Sequence, residues 1–287
     1  GEEEEGEERS TLVFVHPAMR TCLVYNRVAQ RLDPKQKVLG LEDRGDASEG
    51  YPNLEVMAVA YASALAAALP SGPIVLGGWS FGAVLAVEIA HKLEAMDRPP
   101  LGLILLETVP MPAVGFKPGH VPRGYGDLPP DMRAKLLVIV GMHVASSINV
   151  STSLSLDDAT AAIQRGEEEL PWLYTQVMNG VMPREQGVAY IRRFMEDYVN
   201  SEELLFSYIP EPYHGPVVLI HGSDYGPSSS DLHTTQDLPE DLGWGVALPN
   251  IEILRCPGSH DTIIFPPNVD FSASLVQQSL DDIHRTM

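Results

Sequence analysis

The stretch at residues 73–96, PIVLGGWSFGAVLAVEIAHKLEAM, changes its apolar pattern at a single serine. Its first part, PIVLGGW, is a short apolar run rich in β-branched residues, which is typical of a strand buried on both faces. Its second part, FGAVLAVEIAHKLEAM, carries apolar residues at helical spacing. Ser80 lies between two glycines at the change. The pattern therefore predicts a strand, a sharp turn and a helix.

The same alternation of strand and helix recurs on both sides of this stretch. Predicted strands cover residues 11–16, 37–43, 101–107, 215–222 and 251–260, and predicted helices cover residues 24–33, 54–69 and 271–285. Strands that alternate with helices form parallel sheets, because each helix carries the chain back across the sheet. The sequence therefore predicts an α/β fold with a mostly parallel central sheet flanked by helices.

The alternation stops between residues 108 and about 210. This segment begins with a stretch rich in proline and glycine and continues with apolar helical patterns, and it is too long for an ordinary connection. We expect it to be a helical lid inserted into one α/β domain at residues 11–287. The preceding residues 1–10 are acidic, which is typical of a solvated linker or of the edge of a longer chain.

Composition excludes several classes of function. The chain has 287 residues, a net charge of −20 and a pI near 4.7, so its surface repels nucleic acids and anionic membranes. Its start lacks the basic and apolar regions of a signal peptide. Cys22 and Cys256 are too few for a disulfide framework and are not spaced as zinc ligands. We expect a cytoplasmic protein without a metal.

The residues Gly-Trp-Ser-Phe-Gly at 78–82 match the nucleophile elbow G-x-S-x-G, in the required context of a strand before and a helix after. Ser80 is the candidate nucleophile. In α/β-hydrolases the acid and then the histidine follow the serine along the chain. His260 fits, because it lies in a loop between the last predicted strand and the closing helix.

Two carboxylates compete to orient His260. Glu107 and Asp224 both follow predicted strands, at the edge of the sheet where the sites of α/β proteins form. The oxyanion hole needs two backbone N–H groups. Phe81 supplies one of them by the geometry of the elbow, and the loop after the first strand supplies the other from Ala18 or Met19.

Several stretches together resemble the terminal thioesterase domains of polyketide synthases, nonribosomal peptide synthetases and fatty acid synthase. They begin at residue 11 and are TLVFVHPA, VYNRVAQRL, PIVLGGWSFGAVLAVEIAHKLEA, LGLILLETVP and IEILRCPGSH. The resemblance implies an α/β-hydrolase fold with a helical lid. It also implies that an acyl chain passes from the phosphopantetheine arm of an acyl or peptidyl carrier protein, in cis in a larger synthase, to Ser80. Release then follows by hydrolysis or cyclisation, and the domain itself needs no cofactor.

The sequence departs from that family at two positions. The family's strand after the elbow helix closes in aspartate, whereas LILLE closes in Glu107; the resemblance favours Glu107 over Asp224 as the acid. The family often has glycine after HPA, where this chain has Met19 followed by Arg20. Arg20 is either a surface side chain or a contact to a polar group of the acyl chain or carrier arm.

Apolar residues of the predicted lid, among them Trp172 and Tyr174, suit an acyl tunnel as well as simple packing between helices. The same residues also leave other functions open. A stand-alone serine esterase or lipase, or an editing (type II) thioesterase, would share Ser80 and His260. A non-catalytic acyl-binding domain on the same fold is a further alternative, against which the intact pair of serine and histidine argues.

Overall fold

A computed structural model describes residues 9–42, 50–110, 124–148, 150, 152–224 and 239–285. Most of the predicted acidic linker, residues 1–8, lies outside the described residues. None of the described helices is both long and apolar enough to cross a membrane.

Within the described residues, six strands form one sheet in the order β2-β1-β3-β4-β5-β6, and every pairing is parallel. The strands are β1 (Thr11–Val15), β2 (Val38–Leu41), β3 (Ile74–Trp79), β4 (Gly102–Leu106), β5 (Val217–Gly222) and β6 (Ile251–Cys256). The predicted α/β class with a mostly parallel sheet is confirmed. Because all strands point the same way, the loops that follow them meet at one edge.

In space the helices flank the sheet, and along the chain they lie between its strands or after the last of them. They are α1 (Asn26–Ala29), α2 (Leu54–Ala68), α3 (Phe81–Glu94), α4 (Pro130–Ser147), α5 (Leu156–Gln164), α6 (Glu169–Val177), α7 (Arg184–Ser207) and α8 (Val269–Arg285). The helix predicted at residues 24–33 is shorter, with a 3-10 turn at Leu23–Tyr25 before α1. The Tyr25 hydroxyl donates to Val15 O and accepts from Trp79 N–H. These two tertiary hydrogen bonds fix the chain there.

Alternate residues of the strands pack against opposite faces of the sheet. In β3, Leu76 joins the core with α2 and α3, whereas Val75 joins the core with α1 and α8. Both side chains are completely buried. Burying such a side chain stabilises the fold by about 1.5–3 kcal/mol. This burial on both faces explains the continuous apolar runs by which the strands were predicted.

Helices α4 to α7 form an insertion between β4 and β5. They pack on one another, and α7 also packs on α3, the helix that follows Ser80. Helix α5 is missing from the predictions because its buried residues include the alanines Ala159 and Ala162 rather than larger apolar side chains. Its start is marked by Ser155, whose hydroxyl accepts the Asp158 N–H as an N-cap.

The two cysteines are buried free thiols. Burial raises the pKa of Cys256 to about 12, and burial also raises the pKa of Cys22. Because the thiolate is the reactive form, we expect neither thiol of the folded protein to react with a disulfide reagent within minutes at about pH 8. Both should react at once in denaturant. Fast labelling of the native protein would contradict this burial, and a Cys256→Ala variant would then show which thiol reacts.

Candidate active site

Ser80 occupies a strained turn between β3 and α3. Its backbone has φ 58° and ψ −126°, a conformation that residues with a Cβ rarely adopt. The turn is held from both sides: Ser80 N donates to Leu106 O at 3.2 Å, and the Thr108 hydroxyl donates to Ser80 O at 3.0 Å. Strain of this kind persists only where the surrounding structure fixes it, and it is concentrated at functional sites.

The glycines beside Ser80 are required by close backbone contacts. A Cβ on Gly78 would lie 2.4 Å from the carbonyl group of Gly82. A Cβ on Gly82 would lie 2.3 Å from Val15 O and 2.6 Å from His16 O. Because these neighbours are backbone atoms, they cannot rotate away. Helix α3 can therefore approach the end of β1 closely only with glycine at these positions.

We expect the substitution Gly82→Ala to lower the free energy of unfolding by more than about 3 kcal/mol, because the added methyl group overlaps two backbone oxygens. Urea denaturation followed by circular dichroism would measure the loss. The matched control is Gly126→Ala, whose added Cβ has no neighbour within 4 Å. Equal stability of the two variants would show that the turn has room for a methyl group at Gly82.

Ser80 and His260 line one small cavity at the carboxyl edge of the sheet, together with Ala18 of the loop after β1. The space in which the centre of a water molecule fits is about 20 Å³, so the cavity holds about one water. The inserted helices cover it with three side chains, namely Ile139, His143 and Tyr198. The structure therefore brings the predicted nucleophile and base to the same cavity beneath the insertion.

Trp79 connects the loop of His260 to the elbow. Its indole N–H donates to His260 O at 3.0 Å, and its ring lies 5.3 Å from the His260 ring, centroid to centroid. The ring of His143 stacks on the same indole at 5.4 Å, with 19° between the planes. Trp79 precedes Ser80, so both imidazoles are positioned by a neighbour of the candidate nucleophile.

Glu107 is buried where β4 ends and has φ 38°, a positive value like that of Ser80. Its Oε2 accepts the Gly222 N–H at 2.6 Å and lies 3.0 Å from Nδ1 of His221. Both of these contacts reach Oε2. The carboxylate is thus fixed by the end of β5.

Asp224, the competing acid, lies in a different environment. Its side chain is exposed and is 3.4 Å from the Ser223 hydroxyl. Its backbone N–H donates to Gly258 O at 3.0 Å, which ties the end of β5 to the loop that carries His260. Of the two carboxylates, only Glu107 is buried and held by hydrogen bonds from the neighbouring strand.

The backbone groups predicted for the oxyanion hole are both buried. Phe81 is the first residue of α3, so its N–H has no acceptor within the helix. Ala18 lines the cavity beside Ser80, and its carbonyl accepts a hydrogen bond at 2.8 Å from the hydroxyl of Ser201 in α7. The insertion is therefore bonded directly to the loop that carries the second candidate donor.

Arg20 is buried, not a surface side chain. Its Nε lies 3.7 Å from Oδ1 of Asp197 in α7, and its backbone has φ 54°. Burial raises the pKa of Asp197, while Arg20 and Arg193 oppose that rise. Nε and one terminal nitrogen of Arg20 have no hydrogen-bond partner among the described residues. Arg20 borders an open depression of about 490 Å³ that it shares with residues of α7, among them Asn200 and Glu203.

The other predicted substrate residues belong to the interior of the insertion. Trp172 is 9% exposed and belongs to the hydrophobic core, although it borders an open depression of about 560 Å³ beside α6; it does not line the cavity of Ser80. The Tyr174 hydroxyl donates to Met182 O at 2.8 Å, and its ring packs on Gly187 so tightly that a Cβ there would lie 2.4 Å away. Both residues thus pack the inserted helices against one another.

Sequence reasoning missed His221 as the partner of Glu107, and it also missed His143. The signal for His221 was its place at the end of the strand beside β4, where Leu106 pairs in register with Ile220. His143 gave only the weak signal of a histidine in an apolar helix. Among the described residues, no group of three or more His, Cys, Asp or Glu side chains could hold a metal ion.

Comparison with known families agrees with this geometry. The sequence profile described as Thioesterase domain matches residues 10–155, which include the turn at Ser80 and Glu107. The chain belongs to the thioesterase domain family. Membership in this family, together with the fold, implies a hydrolase.

Relatives of this thioesterase domain are large synthetases. The atromentin synthetase of Tapinella panuoides is 29% identical over 94 residues, which are 32% of this chain and 10% of that protein. A nonribosomal peptide synthetase of Aspergillus terreus is 34% identical over 91 residues, which are 30% of this chain and 9% of that protein. The chain thus matches about a tenth of the length of these curated relatives.

Solved structures of thioesterase domains share the fold. The four-domain nonribosomal peptide synthetase AB3403 superposes with a TM-score of 0.72 at 23% identity, over 94% of this chain and 20% of that one. The thioesterase domain of NocB, solved as a covalent complex with a fluorophosphonate nocardicin G analogue, has a TM-score of 0.60 at 22% identity, over 94% of each chain. At these identities the likeness establishes the α/β-hydrolase fold.

Proposed function

We propose that the chain takes an acyl group from a thioester onto Ser80 and then releases it. The observation that carries this proposal is the strained backbone of Ser80, held at the end of β3 in a cavity shared with His260. A sharp turn alone accounts for a positive φ, whereas a structural turn does not require a histidine in the same cavity. Family membership supplies the thioester as the bond that is cleaved.

His260 is the proposed general base. It takes the proton of the Ser80 hydroxyl as the oxygen attacks the carbonyl carbon, and later gives a proton to the departing thiolate. The contact between Trp79 and His260 O supports this role, because it holds the histidine loop against the residue before the nucleophile. A base needs such positioning before it needs a matched pKa.

Glu107 is the proposed acid that orients His260. Its burial and its two contacts through Oε2 fix the carboxylate. In this proposal Oε1 accepts an N–H of the His260 imidazole. His221 acts through Glu107 as a positioning residue. The loop of His260 approaches the same strand end, since a Cβ on Gly222 would lie 2.4 Å from Gly258 O. The exposed carboxylate of Asp224 lacks these features.

The reaction consists of two acyl transfers. In the first, the Ser80 oxygen bonds to the carbonyl carbon, the carbon–sulfur bond breaks, and the N–H groups of Phe81 and Ala18 stabilise the oxyanion. In the second, His260 deprotonates water or a hydroxyl or amine of the acyl chain, which displaces the Ser80 oxygen. Attack by water gives a free acid, whereas attack by a hydroxyl or an amine of the acyl chain gives a lactone or a lactam.

The inserted helices act as a lid in this proposal. The cavity of about 20 Å³ holds about one water, so an acyl chain enters only when α4 or α7 moves away from Ser80. The hydrogen bond from Ser201 to Ala18 O would link that movement to the oxyanion loop. A closed lid excludes water, and this exclusion decides between hydrolysis and attack by the chain's own nucleophile.

The acyl donor proposed is the phosphopantetheine thioester of an acyl or peptidyl carrier protein. The support comes from the relatives, which are synthetases about ten times as long as the matched region, including one named as a nonribosomal peptide synthetase. In this arrangement the carrier is joined in cis, and the thioester arm enters the site as substrate.

The test compares one acyl group on three leaving groups: a carrier protein, N-acetylcysteamine and a simple alcohol. We expect release from both thioesters, fastest from the carrier protein, and slow release from the oxygen ester. Faster turnover of the oxygen ester than of either thioester would assign the chain to the esterases. A variant with both Ser80→Ala and His260→Ala gives the background rate for each compound.

A further inference from the structure

His143 of α4 is a second histidine in the cavity of Ser80, and the mechanism proposed above does not use it. It lines the cavity together with Ser80 and His260. Its side chain is almost fully buried, with 5% of the residue exposed, and its ring lies flat on Trp79. The insertion therefore contributes a buried polar group directly to the place where the acyl group would lie.

The contacts of His143 fix which of its two nitrogens carries the proton. Nδ1 lies 2.7 Å from Ile139 O, the carbonyl one turn earlier in the same helix. A carbonyl oxygen can only accept, so Nδ1 is the protonated nitrogen and donates. Burial lowers the pKa of His143, as does nearby His260, while the Ile139 carbonyl and Asp261 oppose this effect. The ring is therefore neutral, and Nε2 carries a lone pair.

Nε2 of His143 is buried and has no hydrogen-bond partner among the described residues. Because Nδ1 is turned toward its own helix, Nε2 lies on the far side of the ring, away from α4. A buried acceptor without a donor has lost its hydration and gained nothing in return. Such a group in a binding cavity is satisfied when a ligand brings the missing donor.

We propose that Nε2 of His143 accepts a hydrogen bond from an O–H or N–H group of the acyl chain held at Ser80. The site then selects acyl groups that carry a donor within a few atoms of the thioester carbonyl. This inference rests on the proposed function for the identity of its ligand. A role as a second general base fits less well, because burial opposes the positive charge that a base acquires.

Selection of this kind is strong because it penalises the wrong substrate. An acyl group with a methylene in place of the hydroxyl would bury Nε2 without a donor. An acyl group with an ether or ketone there would bring a second acceptor against the lone pair. Sites built to bind a hydroxyl discriminate well against analogues that lack it, because their polar groups are then left unpaired.

The test measures binding of thioesters to Ser80→Ala protein, in which no chemistry follows. Pairs of acyl-N-acetylcysteamine thioesters of equal length would carry a hydroxyl, or only hydrogen, on the second, third or fourth carbon. At one of these positions we expect the hydroxyl to tighten binding by about ten-fold or more. Adding His143→Phe keeps an aromatic ring on Trp79 but removes the acceptor. The dissociation constants of the two thioesters of a pair should then differ by less than about two-fold.

Nitrogen NMR of His143 in the Ser80→Ala protein gives a second readout that needs no His143 variant. The hydroxylated thioester should shift the Nε2 signal from that of a bare lone pair toward that of a hydrogen-bonded nitrogen. The thioester of equal length without the hydroxyl should leave the signal unchanged. Equal binding of every pair, a preference that survives His143→Phe, or no binding by any thioester would overturn the inference. A preference for the hydroxyl without turnover in the unaltered enzyme would instead overturn the proposed function and leave this inference standing.

Discussion

Replacing Ser80 by alanine should lower kcat for release of an acyl-N-acetylcysteamine thioester by about 10⁶-fold, the loss seen when a serine nucleophile of this type is removed. In the proposed reaction the hydroxyl oxygen forms the bond that replaces the carbon–sulfur bond. Without it, only the oxyanion donors and the binding of the acyl chain remain. Thiol release monitored with a chromogenic reagent would measure the loss.

The control for this variant is Ser63→Ala, on the exposed face of α2, where the hydroxyl donates to Val59 O of the same helix. It should retain the full rate, and both variants should unfold at the same urea concentration. Residual activity of Ser80→Ala above one hundredth of the normal rate would assign the nucleophile to another group.

Replacing Glu107 by glutamine should lower kcat by about 10⁴-fold, as the equivalent change of acid to amide does in serine proteases. The amide has the same shape, and its oxygen can still accept the Gly222 N–H that Oε2 accepts now. In the proposed reaction the amide can neither hold His260 in the productive tautomer nor stabilise the charge that His260 gains when it takes the serine proton. The loss therefore reports the role of the Glu107 carboxylate toward His260 and not a change of fold.

The matched comparison is Asp224→Asn, which removes a charge from the other candidate acid. Because that side chain is exposed and its hydrogen bond among the described residues comes from Ser223, we expect a change of less than about three-fold. Steady-state kinetics of the two variants on one thioester would separate the alternatives. A large loss in Asp224→Asn with little loss in Glu107→Gln would exchange their roles.

The turn at Ser80 could be predicted because its signal in the sequence is local. A strand that changes to a helix within one residue needs glycines on both sides, and the sequence shows them. The structure adds the contacts that impose this need: Gly82 lies against the end of β1, which is distant in sequence. A short motif could thus report a tertiary contact, since the same geometry recurs wherever this turn is built.

The environment of Glu107 could not be predicted in the same way. Its partner His221 is 114 residues away and becomes a neighbour only because β4 and β5 pair across the whole insertion. Sequence alone left Glu107 and Asp224 as competitors because both follow strands. Burial distinguishes them, and burial depends on the strand order.

The insertion was predictable as helices but not as the wall of a cavity. Apolar spacing marks the residues of each helix that are buried, and Trp172 and Tyr174 are indeed largely buried. It does not tell which buried residues face Ser80. Ile139, His143 and Tyr198 line the cavity of Ser80, because of how α4 and α7 pack over the sheet.

The most direct test of a covalent intermediate on Ser80 is intact-mass spectrometry of the protein, quenched in acid within milliseconds of mixing with an acyl-N-acetylcysteamine thioester. We expect a mass increase of one acyl group per chain, located by proteolysis on the peptide that contains Ser80, and a matching burst of free thiol. Both signals should disappear in Ser80→Ala. Thiol release without a burst or adduct, or an adduct that persists in Ser80→Ala, would contradict a covalent intermediate on this serine.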